Sequence, residues 1–149
     1  MSNEKLVQMC KSSLDDYCQS LNEAEMRQMF GDDAEAIQVY ANVPRNPTMK
    51  GDSLVIFLPG LTGSVLEDVG PANEVLWLNP LAMLRGHLNH LNLAPDGQTD
   101  ATPGVKISAP RPLWLAYARI ILRLQHELDV VVFPFDWRKL STGSALLLR

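Results

Sequence analysis

The chain has 149 residues, of which 46% are hydrophobic and 20% charged, with a formal net charge of −4. That size and composition are ordinary for a single globular domain that buries its own core. The mildly acidic charge, without any basic run, argues against a nucleic-acid partner, and no apolar run approaches the roughly 18 residues that span a bilayer.

The first twenty residues predict a cytoplasmic protein. They lack a basic start followed by an apolar stretch, so we predict no signal peptide, although export by another route stays open. Cys10 and Cys18 lie in one predicted helix, roughly 12 Å apart along its axis at 1.5 Å per residue. Because that separation is too long for a disulfide, we expect two buried or half-buried free thiols.

Residues 1–45 are predicted to form an accessory helical segment. A capping-box pattern at Asn22 and Glu25 predicts a second helix that ends near Phe30, with Gly31 suited to a left-handed cap, and Asp33 is expected to start a third helix through Tyr40. We find no chemistry in this segment and expect it to pack or to bind a partner. The first helix has an apolar stripe at Leu6, Cys10, Leu14, Tyr17 and Leu21.

The rest of the chain, 46–149, alternates strand and helix patterns. The apolar run 54–58 predicts a strand buried on both faces, and 130–133 predicts another after a strong helix that Pro112 opens. Between them, Asn79 and Pro80 predict the start of a helix through LAMLRGHLNHLNL, and 94–112 is a polar stretch of the kind that forms lids or binding loops. Ser141 is expected to cap a further helix.

This order predicts an α/β fold with a parallel sheet flanked by helices, joined by a right-handed crossover. Two recognisable strands make a poor sheet, so we expect the front portion of a larger domain. Unpaired sheet edges and uncovered apolar segments predict self-association of the isolated chain.

Two hydrolase signatures compete in the stretch GDSLVIFLPGLTGS at 51–64. The first, Gly51-Asp52-Ser53-Leu54, spells the motif of a lipase family whose serine is the nucleophile. Ser53 precedes its strand, however, at the edge opposite the usual α/β active site, and no Asp-x-x-His pair occurs in the chain. We therefore interpret Gly51 and Asp52 as a turn into the strand.

The second signature is the glycine loop PGLTGS at 59–64, which follows a predicted strand. α/β-Hydrolases place one half of the oxyanion hole in such a loop, where a backbone amide faces the oxygen that becomes negative. Gly60 and Gly63 would let the backbone turn sharply, and the N–H of Leu61 is the candidate donor. The alternative, that the loop is only a tight turn, stays open on these residues alone.

Four segments together resemble the lecithin–cholesterol acyltransferase family, which includes lysosomal phospholipase-type acyltransferases and bacterial esterase-like relatives. The resemblance covers roughly residues 54–140, and the front 45 residues do not share it. Its most specific piece is the aromatic-Pro-aromatic-Asp-Trp-Arg sequence that follows an apolar strand. The segments are VIFLPGLTGSVLE from Val55, LWLNP at 76–80, Pro103-Gly104-Val105 and FPFDWR at 133–138.

The resemblance implies an α/β-hydrolase that transfers acyl groups of lipid or ester substrates with a Ser-His-Asp triad, without cofactor or metal. Water as acceptor gives an esterase or phospholipase, and an alcohol or sterol gives an acyltransferase. Leu61 would supply the oxyanion amide, and the region of about 75–111, including Trp77, would form the lid and acyl-binding region. Family motifs near the site would be Gly60, Gly63, Ser64, Asp136, Trp137 and Arg138, with Asp136 not the triad acid.

The chain departs from the family at the nucleophile. Gly-x-Ser-x-Gly does not occur: 60–64 has its letters in another order, and Gly143-Ser144-Ala145 lacks the second glycine. The triad acid and histidine come later still in the family's order. We therefore predict an oxyanion loop and lid without a nucleophile, and a chain that is inactive alone.

The histidines suggest no second chemistry. His87 and His90 are three apart on the predicted lid helix, without an obvious third ligand, so we expect a solvated face rather than a metal site. His126 lies near the end of its helix, where a positive charge suits the dipole. Two alternatives to the hydrolase remain: a non-catalytic lipid-binding or protein-interaction module, and a small independent α/β domain with unrelated chemistry.

Overall fold

The structure, a computed structural model, describes residues 13–43, 54–70 and 73–139. It is a mixed α/β protein with a small parallel two-stranded sheet. In chain order its elements are α1 (Leu14–Ser20), α2 (Glu23–Phe30), a 3-10 turn (Gly31–Asp33), α3 (Ala34–Asn42), β1 (Leu54–Phe57), β2 (Glu67–Asp68), β3 (Glu74–Val75), α4 (Pro80–Leu84), a second 3-10 segment (His87–Leu91), β4 (Ile107–Ser108), α5 (Trp114–Glu127) and β5 (Asp129–Val132).

The chain divides into two compact units. The first contains residues 13–43, 54–58 and 113–133 of the described part, and the second contains 59–70, 73–112 and 134–139. The predictions for Leu6, Cys10, the Gly51–Ser53 turn, Ser141 and Gly143-Ser144 lie outside the described residues. Among the helices that are described, none has the length and apolar character needed to cross a bilayer.

The predicted capping box at the start of α2 is confirmed. The Asn22 side chain accepts from the Glu25 amide at 2.9 Å, and the Glu25 carboxylate accepts from the Asn22 amide at 3.1 Å. The left-handed cap predicted for Gly31 is wrong: φ is 56° but ψ is −129°, because the chain turns directly into a 3-10 segment. The third helix therefore starts at Ala34, and Asp33 makes no side-chain cap hydrogen bond.

Helix α3 packs along α5 in the first unit. Arg119 of α5 pairs with Asp33, and the His126 ring nitrogen Nε2 lies 3.1 Å from the Tyr40 carbonyl oxygen of α3. Since a carbonyl only accepts, Nε2 carries a hydrogen there. The boundary predicted near residue 45 stays a prediction, and the structure adds that α3 packs on α5. The core includes Leu14, Tyr17, Cys18, Met26, Ile37, Trp114, Ala118, Ile121 and Leu122.

The predicted parallel pairing is confirmed, because β1 and β5 run parallel with Leu54 opposite Asp129 and Phe57 opposite Val132. Burial on both faces of these strands is wrong. One face carries half-buried residues such as Phe57, whose ring packs edge-on against Tyr117 of α5 at 5.4 Å. Strand alternation puts the other side chains on the opposite face, which α5 does not cover, and there Leu54, Ile56 and Val131 are 59%, 46% and 47% exposed.

Cys18 is buried with a free thiol, as predicted for that residue, and burial raises its pKa from 9.0 to about 12. In a Cys10→Ser variant we expect dithiobis-nitrobenzoate to label Cys18 slowly in the native chain and at once in guanidinium. The pKa of the Cys18 thiol is 9.0 in the unfolded chain and about 12 in the folded chain. The raised pKa contributes stability that is fully present below pH 9.0 and is lost as pH rises from there through about 12. Fast labelling of the native chain would contradict this burial.

The second unit is built on a three-stranded antiparallel sheet in the order β3-β2-β4. The stretch 94–112, expected to be an unstructured loop, contributes β4, and Leu93 forms a β-bridge with Asp100. The start of α4 is confirmed, since the Asn79 side chain caps it and Pro80 is its first residue. The predicted continuation through LNHLNL is wrong, because Gly86, with φ of 75°, ends the helix and a 3-10 segment follows.

Gly70 occupies a position where a side chain cannot fit. A Cβ atom there would lie 2.6 Å from the Gly104 carbonyl oxygen and 2.9 Å from a carboxylate oxygen of the buried Asp68. We expect Gly70→Ala to lower the free energy of unfolding by about 2–3 kcal/mol, as overpacking does. Urea titration measures this. The matched control is Gly97→Ala, where φ is +64° but no atom lies within 4 Å, and strain alone predicts a loss of about 1 kcal/mol; equal losses would contradict the contact.

Candidate functional site

The predicted glycine loop forms a tight turn. The Gly63 amide donates to the Gly60 carbonyl at 2.9 Å, and within the turn Thr62 has a φ of 62° whereas Leu61 has a negative φ. A positive φ at only the third residue identifies a type II turn. Gly60 and Gly63 do not adopt positive φ, so the left-handed position falls on a threonine and not on either glycine that the sequence suggested.

Thr62 is therefore strained. A residue with a Cβ in the left-handed region costs about 1–2 kcal/mol, and a type II turn normally has glycine at this position. Such outliers persist only where the surrounding structure holds them, and they occur most often at functional sites. Among the described non-glycine residues, Asn73 and Leu78 also have a positive φ, of 43° and 62°.

The Leu61 amide faces no acceptor. Leu61 is 76% exposed, and in the part of the chain that the structure describes its N–H makes no hydrogen bond. A backbone donor on an exposed, fixed turn is free to bind an incoming oxygen. The role predicted for Leu61 stays a prediction.

Two tryptophans hold the two sides of this turn. The Trp77 indole N–H donates to the Thr62 carbonyl at 2.9 Å, and the Trp137 indole N–H donates to the Ser64 carbonyl at 3.1 Å. The two rings contact each other edge to face, with centroids 5.1 Å apart. The sequence singled out Trp77 and Trp137 as separate motif residues but gave no sign that they meet.

Ser64 is placed for structure rather than for nucleophilic attack. It is fully buried, its hydroxyl oxygen accepts from the Phe135 amide at 3.2 Å, and it forms a β-bridge with Pro112. No described histidine hydrogen-bonds to it. Its contact with Phe135 joins the loop that follows β1 to the segment that follows β5.

The FPFDWR segment ends in a buried ion-pair network centred on Arg138. The guanidinium donates to Asp136 through Nε at 2.8 Å and Nη2 at 2.5 Å, to Asp100 at 2.8 Å, and to the Leu91 carbonyl at 3.1 Å. The side chain of Arg138 is 5% exposed. Burial works to lower its pKa, but the hydrogen bonds to Asp136 and Asp100 outweigh burial and raise it. Both carboxylate oxygens of Asp136 thus accept from Arg138.

Arg138 ties the predicted lid region to the motif. Leu91 and Asp100 both belong to 75–111, and Asp100 also accepts from the Ile107 amide at 3.2 Å. The Asp96 carboxylate accepts from the amides of Thr99 and Gln98 in a tight turn, and these bonds hold its pKa low. The region is ordered by its own polar contacts.

The histidine pair has a carboxylate neighbour that the sequence did not reveal. His87 Nδ1 lies 2.7 Å from Glu74, thirteen residues earlier in the chain. The rings of His87 and His90 are parallel within 3° at 5.4 Å, as expected where residues three apart eclipse in a 3-10 helix. Nitrogen lone pairs lie in the ring plane, so stacked rings do not aim at one ion. Among the described His, Cys, Asp and Glu, no group of three could hold a metal.

A surface depression of about 390 Å³ lies in the first unit and carries none of the predicted chemistry. Its arginine, Arg27, is exposed and pairs with Glu23 at 3.1 Å. We place no site there. The depression is lined by Arg27, Gly31, Asp32, Ala34 and Glu35.

Comparison of the chain with models of protein families, with curated proteins and with solved structures found no match. The motifs and the geometry around Leu61 therefore carry the functional argument by themselves.

Proposed function

We propose that this chain is the oxyanion-loop and lid portion of an α/β-hydrolase that transfers acyl groups of lipid or ester substrates. The observation that carries the proposal is the strained turn at Thr62, which presents an unpaired Leu61 amide. In the chain the loop follows β1 directly, the order in which α/β-hydrolases place an oxyanion loop after a strand. Ser64 and Phe135, from the segments that follow these two strands, are hydrogen-bonded.

In this mechanism the chain supplies a backbone donor and no nucleophile. The Leu61 N–H donates to the carbonyl oxygen as it gains negative charge in the tetrahedral intermediate, which lowers the barrier to acyl transfer. The serine, histidine and acid that split the reaction into two steps are not among the motifs of these residues. The cytoplasm remains the predicted compartment.

The purified 149-residue chain is expected to show no hydrolysis of p-nitrophenyl esters above the buffer rate. Turnover that disappears in Ser64→Ala or Ser53→Ala would overturn this. The positive test is a chimera in which residues 54–139 replace the matching segment of an enzyme of the resembled family, which then provides the triad. Ester hydrolysis by the chimera supports the proposal, and a folded chimera with an intact triad but no activity contradicts it.

The exposed face of the β1–β5 sheet favours a second candidate, a protein-interaction module. Parallel sheets are normally covered on both faces, yet Leu54, Ile56 and Val131 are about half exposed. By light scattering after size-exclusion chromatography, we expect the chain to self-associate and an Ile56→Lys, Val131→Lys variant to be monomeric. Leu84→Lys, at a residue 84% exposed outside this sheet, is the control and should change nothing. A monodisperse wild-type monomer would refute the candidate.

A further inference from the structure

We infer that Trp77 is a positioning residue that holds the Leu61 amide in place by fixing the turn through the Thr62 carbonyl. The inference rests on the proposed function for the purpose of that amide. The geometry of the turn is independent of the proposed function, and it concerns only residues of the second unit.

The turn needs an external constraint because its own sequence does not favour it. A turn of four residues with leucine and threonine at its centre would ordinarily be type I, in which both central residues have negative φ. Thr62 instead has a φ of 62°. The contacts that select the type II form must therefore come from outside the turn.

Trp77 is itself rigidly held. Its backbone amide and that of Leu76 both donate to the Leu66 carbonyl, at 3.1 and 2.9 Å. It occupies the second position of another turn, closed by the Asn79 amide on the Leu76 carbonyl at 3.3 Å. The Asn79 side chain, almost fully buried, donates to the Val75 carbonyl at 2.8 Å. The indole therefore meets the Thr62 carbonyl from a fixed base.

The indole contact also limits what else Trp77 can do. An indole has one N–H and no acceptor, and that N–H is used on Thr62. The ring contacts that of Trp137, whose own N–H is used on Ser64. The only polar group of the Trp77 side chain thus acts on the backbone of the turn, a role separate from the apolar acyl contact that the resemblance implies.

The test is NMR spectroscopy of the full 149-residue chain. In the wild type we expect the Trp77 indole hydrogen to exchange slowly with solvent and Thr62 to show the strong intraresidue amide–Hα NOE of a positive φ. Trp77→Phe keeps the ring contact and removes the donor, so this NOE should fall toward that of a negative φ. Adding Thr62→Gly should restore the turn, because glycine accepts positive φ without strain, and the amide shifts of Leu61 and Gly63 should then return toward their wild-type values.

A purely space-filling role for Trp77 would lower the melting temperature without changing the Thr62 NOE, and Thr62→Gly would not rescue it. That result overturns the inference, as does fast exchange of the wild-type indole hydrogen, a measurement that needs no variant. Trp114→Phe, a tryptophan of the first unit, is the matched control and should leave the Thr62 NOE unchanged. If Trp77→Phe releases the turn as expected but the chimera is inactive, the proposed function is refuted and the role of Trp77 stands. If the chimera is active but Trp77→Phe leaves the turn unchanged, only the role of Trp77 is refuted.

Discussion

Replacing Arg138 by alanine is expected to lower the free energy of unfolding by about 3–5 kcal/mol, because it leaves two carboxylates without their buried partner. Asp100 and Asp136 are 13% and 14% exposed, and each accepts from the guanidinium at 2.8 Å or less. Urea titration followed by circular dichroism measures the change. Arg138→Lys should recover only part of it, since an ammonium cannot make the paired contacts to Asp136.

The control for Arg138 is Arg85→Ala. Arg85 also faces a carboxylate, that of Glu74 at 3.9 Å, but its side chain is 60% exposed, so we expect a loss of only about 0–1 kcal/mol. If Arg138→Ala destabilised the chain no more than Arg85→Ala does, the network would not be the support that its burial indicates.

Leu61→Pro, introduced into the active chimera, is expected to lower kcat by about 100- to 1000-fold, the usual effect of removing one oxyanion donor. Proline is favoured at the second position of a type II turn, so this substitution removes the N–H and preserves the backbone around Thr62. KM should change little, because the lost interaction strengthens in the transition state. Steady-state hydrolysis of p-nitrophenyl esters gives both constants.

Leu61→Ala is the matched control, since it shortens the exposed side chain and keeps the amide. It should retain kcat within a few-fold. A proline variant as active as the alanine variant would show that the Leu61 amide does not bind the reacting oxygen. The loop 59–64 would then be only a tight turn.

Most of the features that the sequence predicted correctly depend on short stretches of chain. The capping box needs only Asn22 and Glu25, and the cap of α4 needs only Asn79 and Pro80. The parallel pairing of β1 and β5 followed from apolar strands joined through a helix. The two caps are signals within a few consecutive residues, whereas the strand pairing joins Leu54 to Asp129, 75 residues later, and was predicted from the order of strand and helix patterns.

The features that the sequence did not predict depend on distant partners. Apolar composition cannot say how many layers cover a strand, so Ile56 was expected to be buried and is 46% exposed. Arg138 was recognised as a motif residue, but its partner Asp100 is 38 residues away, and that contact helps to order a stretch expected to be loop. Thr62 has a positive φ that a threonine does not favour, and the Thr62 and Ser64 carbonyls accept from Trp77 and Trp137, which are 15 and 73 residues away in the chain.

The contact between Trp77 and Trp137 also gives the turn a spectroscopic signal of its own. Two indoles 5.1 Å apart and inclined by 64° are close enough to couple their electronic transitions, so we expect a paired positive and negative band in the ultraviolet circular dichroism spectrum. Both rings bond to the backbone of one loop, so a change in that loop alters the coupling. The protein therefore contains an intrinsic chromophore pair that reports on the conformation around Leu61 without any added label.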